Sequence, residues 1–384
     1  MTTATLQTVS EADRRATWLE LFFDLAFAAA IAEVGSVLSG DYSLRGLLQF
    51  GFLFLLIWSA WVGHTLFSSR FDTDDLVQRV LTLAQMFAVA VMAVNAEGPL
   101  GGRTSAGFAA AYAALRLVLM AQYLRARFQE RARDLVTGHA MVVGAGAVVW
   151  LASAFIGAPV RFVLWGLALA LDLGAPVVLH ARTGGRPHHP AHLPERFGLF
   201  TLILLGESLA AMMTGMKHQE YWSTPAAAAA AAGIGVAFAI WWCYFHVLRA
   251  ASPRPVQSPR EAMQQRRWAS AHLPLGLGIA LTAIGVEQVI AHGGSHPLSR
   301  EGTWVLSIGG AVVLAALAGL AGNLPGTGPV NARPGWALAG LVLAAGIVGT
   351  SLPPVLLLLL LLGSGLLLIA LHGPAEGGAA RISG

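Results

Sequence analysis

The sequence predicts an all-α fold, a polytopic transmembrane helix bundle of about twelve spans, and three observations carry that prediction. Of 384 residues, 56 % are hydrophobic and only 11 % are charged, less than half the roughly one quarter that soluble domains carry. The apolar residues fall into runs of about 20, the length an α-helix needs to cross bilayer hydrocarbon. Arg, Pro and Gly gather in the interruptions between those runs.

Cut at these interruptions, the chain gives spans at 18–38, 44–66, 77–96, 104–124, 137–157, 160–181, 196–216, 226–248, 269–291, 303–322, 333–351 and 353–372. Ten or eleven spans also fit. Ser351, Leu352, Pro353 and Pro354 read either as a tight turn or as a kink in one segment, and the run Ala226 to Ala232 is only weakly hydrophobic. Residues 1–17 form a polar tail, and the run that follows is too long and too acidic for a signal-peptide core, so it is read as a retained first span. Residues 373–384 form the other tail.

Counting Lys and Arg by side, twelve spans with the amino terminus inside place 18 on one face and 5 on the other. Positive charge collects on the cytoplasmic side, so both termini are expected in the cytoplasm, with the chain in the inner membrane of a bacterium. The same asymmetry explains the sequence pI of 9.7 without a nucleic-acid partner; the expected surroundings are lipid. Cys243 is the only cysteine, which excludes an intramolecular disulfide.

A weak self-similarity links the two halves, 18–188 and 189–372. Trp58, Trp61, His64 and Arg70 in LIWSAWVGHTLFSSR correspond to Trp241, Trp242, His246 and Arg249 in AIWWCYFHVLRAASPR. This suggests two parallel six-helix repeats related by an axis along the membrane normal.

Acidic residues inside spans are the strongest functional signal, because each costs about 2.5–3.5 kcal/mol at a helix centre on insertion scales. In LELFFDLAFAAAIAEVG, Glu20 and Asp24 share a helix face, with Asp24 about one turn deeper. Glu33 points away from them. Glu207, eleven residues into span seven, reads as roughly 16 Å deep, and is the leading candidate for proton or ion handling. Asp172 and Arg116 also fall near mid-span; Arg116 is expected to neutralise Asp24, Asp172 or Glu207, with the partner open. His64, His246 and His272 read as hydrogen-bonded residues near cytoplasmic helix ends.

The strings LELFFDLAF, RFDTDDLVQR and ERFGLFTLILLGES resemble those of the bacterial low-temperature-requirement A family, multi-pass membrane proteins named for a cold-growth phenotype. The resemblance implies a membrane protein associated with stress response. It marks Glu20, Phe23 and Asp24, then Arg70, Asp72, Asp74 and Arg79, then His192, Glu195, Arg196, Gly206 and Glu207. The second and third groups read as a cytoplasmic motif or gate, with Thr73 or Asp74 capping span three. More loosely, FFD is similar to the FSD signature of certain potassium channels, with Phe23 in place of serine.

A metal site is not expected at His188, His189 and His192, since Pro187, Pro190 and Pro194 are read as preventing a helix that would align ligands. No cofactor is expected, and no Walker, Rossmann, HExxH or GxSxG pattern is present. The leading functional reading is a secondary transporter or ion-conducting protein for protons, ions or a small solute. A membrane-embedded enzyme on a lipid-like substrate and a purely structural role are the alternatives.

Overall fold

A computed structural model describes residues 15–71, 75–96, 104–127, 133–183, 192–219, 223–248, 259–294, 297–323 and 331–372. The described residues form twelve α-helices: α1 (Trp18–Gly40), α2 (Leu44–Ser68), α3 (Leu76–Val94), α4 (Thr104–Ala126), α5 (Arg133–Ala154), α6 (Val160–Thr183), α7 (His192–Lys217), α8 (Thr224–Trp242), α9 (Pro259–Ala291), α10 (Arg300–Gly322), α11 (Arg333–Val348) and α12 (Pro354–His372). Eleven stretches among them are long and apolar enough to cross a membrane. The polyalanine run is helical, and a short 3₁₀ turn, Gly349–Ser351, separates the last two helices.

Helix α3 shows why these segments are stable in lipid. Leu76, Val80, Leu83, Phe87 and Val94 are exposed, while Gln78, Thr82, Gln85, Val89 and Met92 are buried. Both sets recur at helical spacing, so the apolar stripe faces outward and the polar stripe inward, the reverse of a soluble helix. The helix is capped by Asp75, not by Thr73 or Asp74: the Asp75 carboxylate accepts from the Gln78 backbone N–H at 2.9 Å. That bond satisfies one of the donors left free at any helix start.

The chain divides into two compact units, residues 1–37 with 49–200 and residues 38–48 with 201–384. The core of the first is aromatic, with Trp61, Trp150, Trp165, Tyr112, Phe23 and Phe27 all fully buried. Its helix ends are also secured internally. Arg161 Nε donates to the Ser153 carbonyl at 3.0 Å in the last turn of α5, which supplies a partner to a terminal carbonyl.

The second unit relies on close backbone approach. A Cβ on Gly309 would stand 2.6 Å from the Thr282 backbone nitrogen, and one on Gly285 would stand 2.8 Å from Leu306 Cα. Helices α9 and α10 therefore meet through glycine, as membrane helices do where packing replaces the hydrophobic effect. Helix α9 begins about ten residues before the expected span, because Glu261 to Arg267 are good helix formers that extend the helix on the polar side. His272 consequently lies mid-helix and buried, with Nε2 2.8 Å from the Tyr244 hydroxyl and Nδ1 2.9 Å from the Trp268 carbonyl.

Candidate functional site

The N-terminal end of α1 is built by local sequence chemistry. Thr17 and Glu20 form a capping box: the Thr17 N–H donates to the Glu20 carboxylate at 2.8 Å, and the Glu20 N–H donates to the Thr17 hydroxyl at 3.2 Å. Glu195 reaches the same region, its carboxylate accepting from the Ala16 N–H at 3.1 Å. The starts of α1 and α7 are thereby held together.

Around this junction stand four charged or titratable side chains. His192 Nε2 lies 3.2 Å from Glu20 Oε2, and His192 Nδ1 lies 3.1 Å from the Ser69 hydroxyl. With Nε2 protonated, the ring donates to Glu20 and accepts from Ser69. Arg196 Nη2 donates to Asp24 Oδ1 at 2.7 Å, while Arg196 Nη1 stands 3.8 Å from Glu20 Oε2. Trp61 Nε1, from α2, donates to the same Asp24 Oδ1 at 2.7 Å.

These positions correct the expectation that the prolines of this stretch prevent a helix at His192, and they start α7 four residues before the expected span at 196. His192 opens α7, Pro194 sits in its first turn, and both His192 and Arg196 are fully buried. A proline near a helix start costs no hydrogen bond, because the N–H it lacks would have had no partner. Arg196 rather than Arg116 is the partner of Asp24.

The walls of the site are apolar. Trp61 stacks on Phe200 at 4.2 Å between ring centroids and meets Phe197 edge-on at 5.1 Å; Phe23 stacks on His64 at 4.0 Å. In such a weakly polarisable setting, paired charges attract more strongly and unpaired ones are more costly. Two carboxylates here face one guanidinium and one imidazole. Asp24 spends a single oxygen on both of its donors, and its other oxygen, Oδ2, is buried with no hydrogen-bond partner.

Arg116 and Asp172 form a separate pair near mid-span. Arg116 Nη2 donates to Asp172 Oδ2 at 2.6 Å and to the Tyr112 hydroxyl at 3.1 Å, and Tyr112 in turn lies 2.8 Å from the Ser59 hydroxyl. This network ties α2, α4 and α6, and is the arrangement expected of a structural bracket. Gly63 leaves space for it, since a Cβ there would stand 2.8 Å from Arg116 Nη1.

Glu207 belongs to the second unit, is half-buried, and makes no hydrogen bond or ion pair among the described residues. Gly206 beside it has nothing within 4 Å of a built Cβ. Arg70 lies at the end of α2 and Arg79 on the exposed face of α3, whereas Asp72 and Asp74, like His188 and His189, lie outside the described residues. Asp75 pairs with Arg125 of α4. The aligned histidines differ in setting, His64 being buried and His246 exposed and stacked on Trp242.

Several polar residues of the first unit went unnoticed in the sequence. Gln85, Gln122 and Thr65 are all at least 99 % buried, and His64, read as interfacial, is 2 % exposed. The available signal was the presence of two glutamines within apolar spans, LAQMF and MAQYL.

Fold and site together define a multi-pass membrane protein with a charged, buried centre in its N-terminal unit. The model of the family described as bacterial low temperature requirement A protein matches residues 15–371, and the chain belongs to that family. It is also similar to the uncharacterized protein RA0937 of Rhizobium meliloti (strain 1021), 29 % identical over 318 residues, covering 79 % of this chain and 76 % of that protein.

Proposed function

We propose that this chain is a secondary transporter or ion-conducting protein of the bacterial inner membrane, with both termini cytoplasmic, in which the α1 carboxylates take up and release a proton. The supporting observation is the valence of the α1–α7 site: Glu20 and Asp24 share Arg196, and Asp24 Oδ2 is buried and unbonded. A pair serving only to lock helices would saturate both carboxylate oxygens, as buried polar groups generally do. Here one negative charge is left for a proton on His192 or on a carboxylate. Glu20, about one turn nearer the helix end than Asp24, and His192 form the path between Asp24 and the aqueous phase.

Reconstituted vesicles carrying an imposed pH gradient test this reading. The parent protein is expected to dissipate the gradient, and Asp24→Asn to lose that activity while retaining the Trp61 hydrogen bond and the fold. Glu20→Gln, which preserves the capping box, is expected to slow the flux. Equal flux from parent and Asp24→Asn, with both proteins folded, leaves the cluster structural and overturns the proposal. A lipid-directed enzyme has no corresponding support, since the acids are enclosed by side chains of α1, α2 and α7.

A further inference from the structure

We propose that the cleft between α10, α11 and α12 in the second unit holds one acyl chain of an anionic phospholipid, with the headgroup against Arg333 and His372. Leu317 and Ala321 of α10, Leu368 of α12 and the buried Cys243 give it an apolar wall, and Asn331 and His372 are its polar residues. It takes in about 340 Å³, counting its open side. Ligand pockets begin at about 300 Å³, so the cleft has room for a length of hydrocarbon and not for a whole lipid. Cys243 opens a π-helical turn, Cys243–Leu248, that continues α8. Such turns depart from regular helix packing and recur at functional sites.

The lining selects hydrocarbon over water or a polar solute. An ordered water needs about two to four polar partners, and the polar atoms here are already engaged. The Asn331 carbonyl accepts from His372 Nε2 at 2.9 Å, and Asn331 Oδ1 accepts from the Arg333 backbone N–H at 3.2 Å. What remains is aliphatic, and the apolar molecules surrounding a membrane protein are acyl chains. The charge beside the cleft selects the headgroup. His372 Nδ1 faces the Leu368 carbonyl at 3.0 Å while Nε2 faces that of Asn331. Carbonyls only accept, so the ring satisfies both in its doubly protonated, cationic form, and a cation at the C-terminal end of α12 is favoured by the helix dipole. Arg333, exposed at the start of α11, adds a second positive charge, and no acidic side chain lines the cleft. Trp336, one turn further along α11, is 55 % exposed, and tryptophan gathers at headgroup level. Basic pockets between membrane helices bind anionic headgroups in this way, whereas a zwitterionic lipid would bring its own cation to two positive groups.

Cys243 is the only cysteine, so a thiol reagent reports on the cleft wall alone. Full-length protein in phosphatidylcholine vesicles, with or without one part in four of phosphatidylglycerol, is treated with uncharged methyl methanethiosulfonate. Cys243 is expected to react at least fivefold more slowly where phosphatidylglycerol is present, and Arg333→Gln/His372→Gln to bring the two rates within twofold of each other. Equal rates for the parent in the two lipids, or a difference that the double variant keeps, overturns the site. Protection that follows protein density rather than phosphatidylglycerol marks a second copy of the chain as the occupant and overturns it equally. If Cys243 reacts in neither lipid, native mass spectrometry decides: phosphatidylglycerol retained in preference to phosphatidylcholine by the parent and lost by the double variant supports the site, and no preference removes it. Should the double variant not fold, Arg333→Gln alone is expected to halve the protection at least, and unchanged protection overturns the proposal.

Discussion

Replacing Arg196 by Met isolates the α1–α7 pair. Arg196 and Asp24 both have fully buried side chains, 0 % exposed, and their contact is 2.7 Å, so the substitution leaves a carboxylate uncompensated inside the bundle. Removing one member of a buried pair costs about 3–5 kcal/mol. The Trp61 bond to Asp24 Oδ1 survives, and a hydrogen bond to a charged group contributes about 1.5–3 kcal/mol. The expected loss is therefore at the lower end, about 3 kcal/mol, which is roughly a 150-fold shift in the folding equilibrium. Arg196→Met/Asp24→Asn removes the stranded charge while Asn keeps its acceptor for Trp61, and is expected to recover at least half of the loss. Equilibrium unfolding in mixed detergent, run on parent, both single variants and the double variant, gives the coupling energy directly. An Arg196→Met protein within about 0.5 kcal/mol of the parent, or additive effects in the double variant, would refute the argument that this charge is buried and paired.

Four further outcomes follow from particular contacts. Arg116→Leu is expected to destabilise the first unit by about 3 kcal/mol, with partial recovery in Arg116→Leu/Asp172→Asn and none in Arg116→Leu/Glu207→Gln, measured by the same unfolding assay. Asp75→Ala removes the α3 cap, at a cost of about 1 kcal/mol. The Gln78 backbone bond and Arg125 hold the Asp75 carboxyl below its ordinary value, so its contribution is present above about pH 4 and fades as pH falls further; the Asp75→Ala difference should shrink on acidification, reduced throughout by solvent exposure. Gly309→Ala drives a methyl group against the α9 backbone and is expected to cost about 1–3 kcal/mol, while Gly206→Ala, with open space around it, is expected to change thermal stability very little.

The spans were legible because lipid imposes a length and a polarity that any chain must meet. Their ends moved where helix propensity outruns the bilayer, as in α9, or where a proline sits harmlessly in a first turn, as in α7. The deep charges were also visible, since few acids and one arginine interrupt apolar runs. Their pairing was not. Arg196 is the first residue of the expected span 196–216, where it counts as one more charge at the cytoplasmic end, so its burial against Asp24 became visible only with α7 starting four residues earlier, at His192. Glu207 looked the strongest acid by depth, but depth along a helix says nothing of which way the side chain faces. The glutamines carried the weakest signal, because an uncharged side chain costs too little on insertion to stand out until its neighbours are known.

Infrared difference spectroscopy of the purified protein, recorded as pH is stepped, tests the central claim that α1 carboxylates exchange a proton from within the bundle. The account predicts a protonated-carboxyl stretching band that grows on acidification in the parent, changes in Glu20→Gln, and is lost or displaced in Asp24→Asn. A band that is the same in the parent and in Asp24→Asn/Glu20→Gln, or no buried carboxyl band at any pH at which the protein stays folded, would contradict it.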